Sequence, residues 1–388
     1  MKKIAAFVTA FMITLVLAVT IHETMSRDVT SKNANIGYWV SSYKDSSYNA
    51  ISQNIKPDTM LVFGSSEFRH GQKSLYHPKN LLAVNNVEMM TIGLAYNQSL
   101  NHAVTLGAVA PSIQKRKVVI LLSPTWFYRE GVLKDHYSFR YSENEYIKFM
   151  ENKNIPKSLK RKVAKRTNQL LKGSGTKLNF AKMEARVNGA IGKTNSLEKL
   201  AYNIRKAYIM DRDILTVKMA MLTNRAETRT QVNPEAKKLG LNWDALVKRT
   251  QSEVKGEYGS NPYYIQNSYW YKFKKVERKG PGSHKNDSWA KSREYKDLKL
   301  FLEVCKANNI EAKVIKLPVN GYWYDFTGMT KAKRAKLSKN LAKLTSKYDC
   351  EYYDMSKYDY TKYFFEDVVH PSDVGWVRIN EEIYKFYK

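Results

Sequence analysis

After Lys117 the chain runs through Val118-Val119-Ile120-Leu121-Leu122 without a polar residue and then meets Ser123-Pro124. An unbroken apolar run of this kind is the mark of a parallel strand covered on both faces, and the proline ends its ladder. Shorter runs at 59–63 and 89–92, the latter ending at Gly93, predict two further strands. Between the second strand and residue 117, a helix is expected over 97–110, its apolar face made by Leu100, Val104 and 106–109. The alternation resumes late in the chain: helix 292–307, strand 312–317, helix 329–347, strand 350–353, helix 374–387. Strands and helices alternating at this length predict an α/β fold, a doubly wound parallel sheet with its site beyond the carboxyl ends of the strands. The stretch 132–290, with its Gly173-Ser174-Gly175 and Gly280-Pro281-Gly282 breaks, predicts a mostly helical insertion.

Two motifs carry chemistry. Gly64-Ser65-Ser66-Glu67 directly follows the apolar run 59–63, so a serine is presented at the carboxyl edge of the sheet, where the free N–H groups of a helix start can hold an oxyanion. Near the other end stands Asp367-Val368-Val369-His370-Pro371-Ser372. An aspartate three residues ahead of a histidine places both on one side of a turn, where the carboxylate fixes the imidazole tautomer. Separately each is ordinary, a loop turn or a helix cap. Together they point to serine-dependent acyl chemistry, with Ser66 or its neighbour Ser65 as nucleophile, His370 as base and Asp367 orienting it. Asp354, Asp359 and Asp373 are the other carboxylates within reach in sequence.

The N-terminus decides where this chemistry takes place. Met1-Lys2-Lys3 precedes residues 4–21, an apolar run with no charge. At about 1.5 Å per residue it nearly crosses a hydrocarbon core of about 30 Å. Lysines ahead of it place the N-terminus in the cytoplasm and the body outside; a cleaved signal peptide is the rival reading. The expected organisation is an anchor at 1–25, a polar stalk and entry segment at 26–58 and a catalytic domain at 59–388. With 65 Lys and Arg against 36 Asp and Glu, the net charge of +29 attracts polyanions. For an exported domain these are anionic head groups or phosphate polymers, not nucleic acid. Two basic tracts, 153–186 with Glu184 as its only acid and 331–347 with seven basic residues and no acid, read either as solvated helix faces or as contacts for such a polymer. Cys305 and Cys350 are open to a bridge but expected as unpaired buried thiols.

The two catalytic motifs resemble the SGNH (GDSL-type) hydrolase superfamily. Further pieces resemble one branch of it, the DltD family, which D-alanylates lipoteichoic acid: Gly64-Ser65-Ser66-Glu67-Phe68, His77-Pro78, Asn97-Gln98-Ser99-Leu100, Ser123-Pro124-Thr125-Trp126-Phe127, and the long string from Pro318-Val319-Asn320-Gly321 through Trp323 to Thr327-Gly328. The resemblance selects Ser66, two residues after the glycine, and implies a membrane-anchored acyltransferase that passes D-alanine through an acyl-serine to teichoic acid. It implies a membrane O-acyltransferase, DltB, and the carrier DltC as the indirect donor, and no metal or diffusible cofactor. An esterase or thioesterase, or a polysaccharide O-acetyltransferase, of the same fold is the alternative.

For the oxyanion the resemblance adds the Gly93 amide to that of Ser66. The superfamily's Gly-x-Asn-Asp block is replaced here by Ser123-Pro124-Thr125-Trp126, which leaves Thr125, Asn97 and Gln98 as candidates for the third donor. Glu67 is expected either to bind an ammonium group or to complement the helix dipole. Trp126, Tyr128, Trp323 and Tyr324 either wall the cleft or pack. His70, His77 and His102 lack metal-ligand spacing and are expected to cap or pack.

Overall fold

The computed structural model describes residues 2–27, 29–223, 225, 230–258, 261–277 and 280–388. Five parallel strands form one sheet in the order β2-β1-β3-β4-β5: β1 (Met60–Phe63), β2 (Met89–Ile92), β3 (Lys117–Leu122), β4 (Glu311–Lys316) and β5 (Glu351–Asp354). The chain adds β2 on one side of β1 and β3 on the other. Such a reversal opens a crevice beyond the carboxyl ends of the strands, and Gly64-Ser65-Ser66 enters it directly from β1.

The side chains of the sheet divide by the two-residue period of a strand. Leu61, Phe63, Val118, Ile120, Leu122 and Val314 face one apolar cluster, whereas Met60, Val62, Val119, Leu121 and Ile315 face the other. Truncating one of these fully buried side chains to alanine costs about 2–5 kcal/mol.

Helices cover both faces. Ahead of the sheet come α1 (Lys2–Arg27), α2 (Ser42–Asp45) and α3 (Tyr48–Ser52); α4 (Pro78–Leu81) precedes β2, and α5 (Ser99–Val109) joins β2 to β3. Between β3 and β4 lie α6 (Lys134–Arg140), α7 (Glu143–Glu151), α8 (Lys157–Leu170), α9 (Thr176–Val187), α10 (Ser196–Leu222), α11 (Trp243–Tyr258), α12 (Asn267–Glu277) and α13 (Glu294–Ala307). Then α14 (Gly321–Phe326) and α15 (Lys331–Thr345) follow β4, and α16 (Asp373–Tyr387) closes the chain. Every predicted strand and helix is found within about two residues. The helix α5 departs from a one-faced reading, because all eleven of its residues are buried. It is clasped by α13 and α7, and Gly107 admits the Phe149 ring, which a Cβ there would meet at 2.3 Å.

The segment expected as stalk and entry to the domain is folded into the body: Ile36, Trp39 and Ala50 pack with Val217 of α10, and Lys44 and Asp45 are buried. Its polar residues satisfy the interior rather than water; the Asp213 carboxylate of α10 accepts from the Asn49 backbone and side-chain N–H groups at 3.0 and 2.9 Å. Cys305 is buried, but Cys350 is only half-buried; neither is bridged. One described helix, α1, is long and apolar enough to cross a membrane.

Candidate active site

The β1 strand delivers Gly64, whose N–H donates to Ile92 O at 3.0 Å as the last rung against β2. Beyond it the chain tightens into a 3-10 turn, Ser66–Arg69. The approach of the two strand ends requires glycine at 93, and the turn that follows β1 requires it at 64. A Cβ on Gly93 would lie 2.2 Å from Gly64 O, and one on Gly64 would lie 2.3 Å from a Glu67 carboxylate oxygen. His102 of α5 donates from Nε2 to Gly64 O at 2.8 Å; burial pushes this imidazole down to about 3, so it is a neutral donor. The serine turn is therefore pinned from the sheet and from α5 at once.

His370 arrives on a loop held by several backbone bonds. Glu366 N–H donates to His370 O at 2.9 Å, Gln266 N–H to Glu366 O at 2.9 Å, and Asn320 N–H to Val368 O at 3.0 Å. The last bond ties in the Pro318–Gly328 string; Asn320 Oδ1 also caps α14 by accepting from Trp323 N–H at 3.1 Å. Ser372 caps α16.

These loops bring Ser66, His370 and Asp367 together. Ser66 Oγ lies 2.8 Å from His370 Nε2, and His370 Nδ1 lies 2.7 Å from Asp367 Oδ2. The other Asp367 oxygen accepts from the Val369 and His370 amides, each at 2.8 Å. With a carboxylate on Nδ1, the neutral ring carries its proton there and leaves the Nε2 lone pair facing the Ser66 hydroxyl. Burial pulls His370 down, but the hydrogen bond and charge of Asp367, with the charges of Glu67 and Glu366, outweigh it and hold the imidazole above its ordinary value. Burial pushes Asp367 up, yet the His370 contact and the two amides leave it below the ordinary carboxylate range. The arrangement is that of a base poised to take a serine proton.

The alternative serine and aspartates are engaged elsewhere. Ser65 is buried and its hydroxyl donates to Leu94 O at 3.1 Å. Asp359 binds Arg334 and Asp354 binds Lys316. Asp373 opens α16, and it is Asp367 that meets Nδ1.

Gly93 is engaged away from the oxyanion role, and Glu67, Trp126 and Trp323 take the capping and packing alternatives. The Gly93 N–H, expected as an oxyanion donor, is engaged by Asp45 Oδ2 at 3.0 Å. Glu67 is buried and folds back to accept from the Ser65 N–H at 2.7 Å, which favours capping over ammonium binding; burial raises its pKa, partly offset by the Glu67 and Ser65 amides. Trp126 packs beside His102, and Trp323 packs among Tyr263, Phe273 and Phe326, both buried rather than lining a cleft. Thr125 shares a hydrogen bond with Ser123 at 2.8 Å and remains half-buried. Asn97 is buried with its Oδ1 unpartnered, as is Gln98 Oε1. The Ser66 amide, first in its turn, has no acceptor within the turn.

Of the three histidines expected to cap or pack, His77 caps α4 and His102 packs, but His70 lies against His370. Its ring stacks on that of His370 and its Nδ1 lies 2.7 Å from Glu366 Oε2. The one signal for it in the sequence is its place four residues after Ser66, about one turn further along. Among the described residues, His70, Asp367 and His370 bring ligand-type atoms within 4.8 Å of one another. The His70 Nδ1, both His370 nitrogens and the Asp367 oxygens each have a hydrogen-bond partner.

A family model described as DltD protein matches residues 33–388. The chain is 29% identical over 339 residues to Protein DltD of Bacillus subtilis (strain 168), which covers 87% of this chain and 84% of that protein. It is 26% identical over 336 residues to Protein DltD of Staphylococcus aureus (strain NCTC 8325 / PS 47), covering 84% and 80%. It is also 26% identical over 352 residues to Protein DltD of Lacticaseibacillus rhamnosus, covering 87% and 79%.

Proposed function

This chain belongs to the DltD family, and we propose that it is a membrane-anchored, extracytoplasmic acyltransferase that esterifies teichoic acid with D-alanine through an acyl-Ser66 intermediate. The observation that carries the reading is the unbroken contact from Ser66 Oγ to His370 Nε2 and from His370 Nδ1 to Asp367.

In the first half-reaction Ser66 Oγ attacks the acyl carbon of an activated D-alanine, and its proton passes to His370 Nε2. The tetrahedral oxyanion is held by the Ser66 amide, with Thr125 or Asn97 as the second donor after side-chain rotation. Its collapse expels the leaving group, which takes the proton from His370. In the second half a polyol hydroxyl of the acceptor gives its proton to His370 and attacks the ester, and the proton returns to Ser66 Oγ as the D-alanyl ester of the polymer departs. Asp367 stabilises the imidazolium in both halves. Transfer prevails over hydrolysis when the acceptor hydroxyl is held beside the ester at high effective concentration.

The donor on this reading is supplied by a DltB-type membrane O-acyltransferase fed by the carrier DltC. The anchor is residues 1–25, with the N-terminus cytoplasmic, because Lys2 and Lys3 flank the apolar run on that side. Residues 26–58 brace the catalytic unit 59–388, into which 132–290 is inserted. An anionic acceptor is favoured by the overall charge of +29. It is favoured too by a groove of about 640 Å³ between α8 and α13, lined by Lys162, Lys165, Arg166, Lys296 and Lys299. Asp297 and Glu303 neutralise part of that lining.

The test is cell-wall D-alanine ester content in a strain whose only copy is Ser66→Ala, paired with mass spectrometry of Ser66 in the unsubstituted chain. Loss of ester together with an alanyl adduct supports the reading. Unchanged ester content rejects it, and an acetyl adduct would transfer the assignment to polysaccharide O-acetylation.

A further inference from the structure

The helix α10 is apolar on two opposite sides. One side is cemented to the body: Tyr202, Ile209, Val217 and Ala220 are buried, and Asp213 is bonded to Asn49 and, at 3.3 Å, to Asn144. The other side carries Leu197, Leu200, Ile204, Tyr208, Leu215 and Met219, ending at Leu222, at steps of three, four or seven residues. At about 100° per residue these positions fall within one narrow stripe along the whole helix. All are exposed, with Ile204 at 64% and Leu222 at 77%. A continuous exposed line of large apolar side chains is unusual on a surface facing only water.

Asp211 lies on that same stripe, between Tyr208 and Leu215, and it binds His22 of α1: the Nδ1 lies 2.9 Å from Oδ2 and 3.1 Å from Oδ1. His22 is the first residue after the apolar run 4–21. In a spanning helix it stands where the hydrocarbon ends, about 27 Å from the start of that run. The contact therefore fixes the middle of α10 at the level of the membrane boundary, with its exposed stripe on the side from which α1 leaves the body. We infer that α10 is an interfacial helix: its stripe from Leu197 to Leu222 lies in the head-group and upper acyl region of the bilayer that α1 crosses. Arg212 and Lys218 border the stripe, as suits a helix lying among anionic head groups. The arrangement holds the catalytic body flat against the membrane rather than swinging on a tether. It rests on α1 spanning the bilayer.

The test uses the full chain, with Cys305→Ser and Cys350→Ser, in vesicles of phosphatidylglycerol and phosphatidylcholine. Single cysteines carry an environment-sensitive fluorophore at Ile204 or Leu215 on the stripe, at Asn203 or Thr216 on its flanks, or at Val16 in α1. All five positions are exposed, so the label does not disturb a core. The expected result is a blue shift and quenching by acyl-chain spin labels at Val16, Ile204 and Leu215, with Asn203 and Thr216 quenched instead by aqueous iodide. If Val16 is quenched by lipid while Ile204 and Leu215 respond to iodide, the span stands and the interfacial placement of α10 is wrong. Stripe labels shielded from both quenchers would also overturn it, in favour of a protein cover such as a second copy. Failure of lipid quenching at Val16 removes the span and the inference with it.

Discussion

His70 and His370 stack face to face, with ring centroids 3.8 Å apart and planes within 9°. Each ring is held at Nδ1 by its own carboxylate, Glu366 for His70 and Asp367 for His370, both at 2.7 Å. The second pair reaches the site from the serine turn itself, because the His70 N–H closes that turn on Glu67 O. A flat ring against the base limits its rotation, and the stack couples the position of Ser66 to that of His370. His70→Ala is expected to lower kcat/KM for an ester probe on the order of tenfold to a hundredfold. His70→Phe keeps a flat face and should lose only a few-fold. Stopped-flow hydrolysis of a chromogenic ester by the three chains checks this; equal rates for the alanine and phenylalanine variants would remove the stacking role.

Ser65 and Ser66 separate by environment. Ser66→Ala should abolish the acyl adduct in mass spectrometry and leave thermal stability near that of the unsubstituted chain. Ser65→Ala deletes the bond to buried Leu94 O, a loss of about 1 kcal/mol, and should retain the adduct. An adduct persisting in Ser66→Ala would transfer the nucleophile to Ser65.

The sheet is legible in the sequence because strands buried on both faces need unbroken apolar runs, and 118–122 has no other use. The motifs at Ser66 and at Asp367–His370 are legible because each is a short local spacing, which survives in one dimension; that the two meet is a property of the fold. What depends on distant packing does not survive in that way. Lys44 and Asp45 stand in a stretch of Ser, Tyr and Asn that reads as solvated, and they are buried against β2, whose Thr91 O, 47 residues on, accepts from Lys44. Gly93 is legible as a strand-end glycine, but the acceptor that takes its N–H is Asp45, 48 residues earlier. Trp126 and Trp323 have the composition of a binding wall and the surroundings of a core. The role of His70 requires knowing that the serine turn leads directly to the His370 loop.

The pair Lys44–Asp45 gives a third prediction. Lys44 Nζ lies 3.3 Å from Asp45 Oδ1, donates to Trp39 O and Thr91 O, and is wholly buried. Burial pulls Lys44 down and pushes Asp45 up, each opposed by the other's charge. Asp45→Ala leaves a cation alone in the interior and should cost about 3–5 kcal/mol, read as a lower denaturant midpoint. Replacing both, Lys44→Met with Asp45→Leu, should recover much of that stability while the Gly93 N–H still lacks its acceptor. Ester turnover that stays low in the double variant, with stability restored, would show that the Asp45–Gly93 bond serves the site and not only the fold.

The pH dependence of the site follows from the directions of two shifts. On the proposed mechanism His370 acts as base only when neutral; burial lowers its folded-state value, but Asp367, Glu67 and Glu366 outweigh it and hold the value above the ordinary 6.5. The rate should therefore rise with pH through a midpoint above 6.5. Asp367→Asn removes the chief charge and leaves burial dominant, so the midpoint should fall while the rate drops on the order of 10⁴ as the tautomer is lost. Stability runs the other way. A raised His370 contributes stability that is full below 6.5 and is lost as pH rises through its folded value. A lowered Asp367 contributes above its ordinary 3.8 and is lost as pH falls through its folded value. The contact thus stabilises most between those limits, and on the proposed mechanism the chain gains activity as it gives up part of that stabilisation. Parallel pH series of ester turnover and thermal midpoint should show activity still climbing above pH 6.5 where the His370 contribution to stability declines. In Asp367→Asn that opposition should vanish, because the charge that raises His370 is the one that binds it.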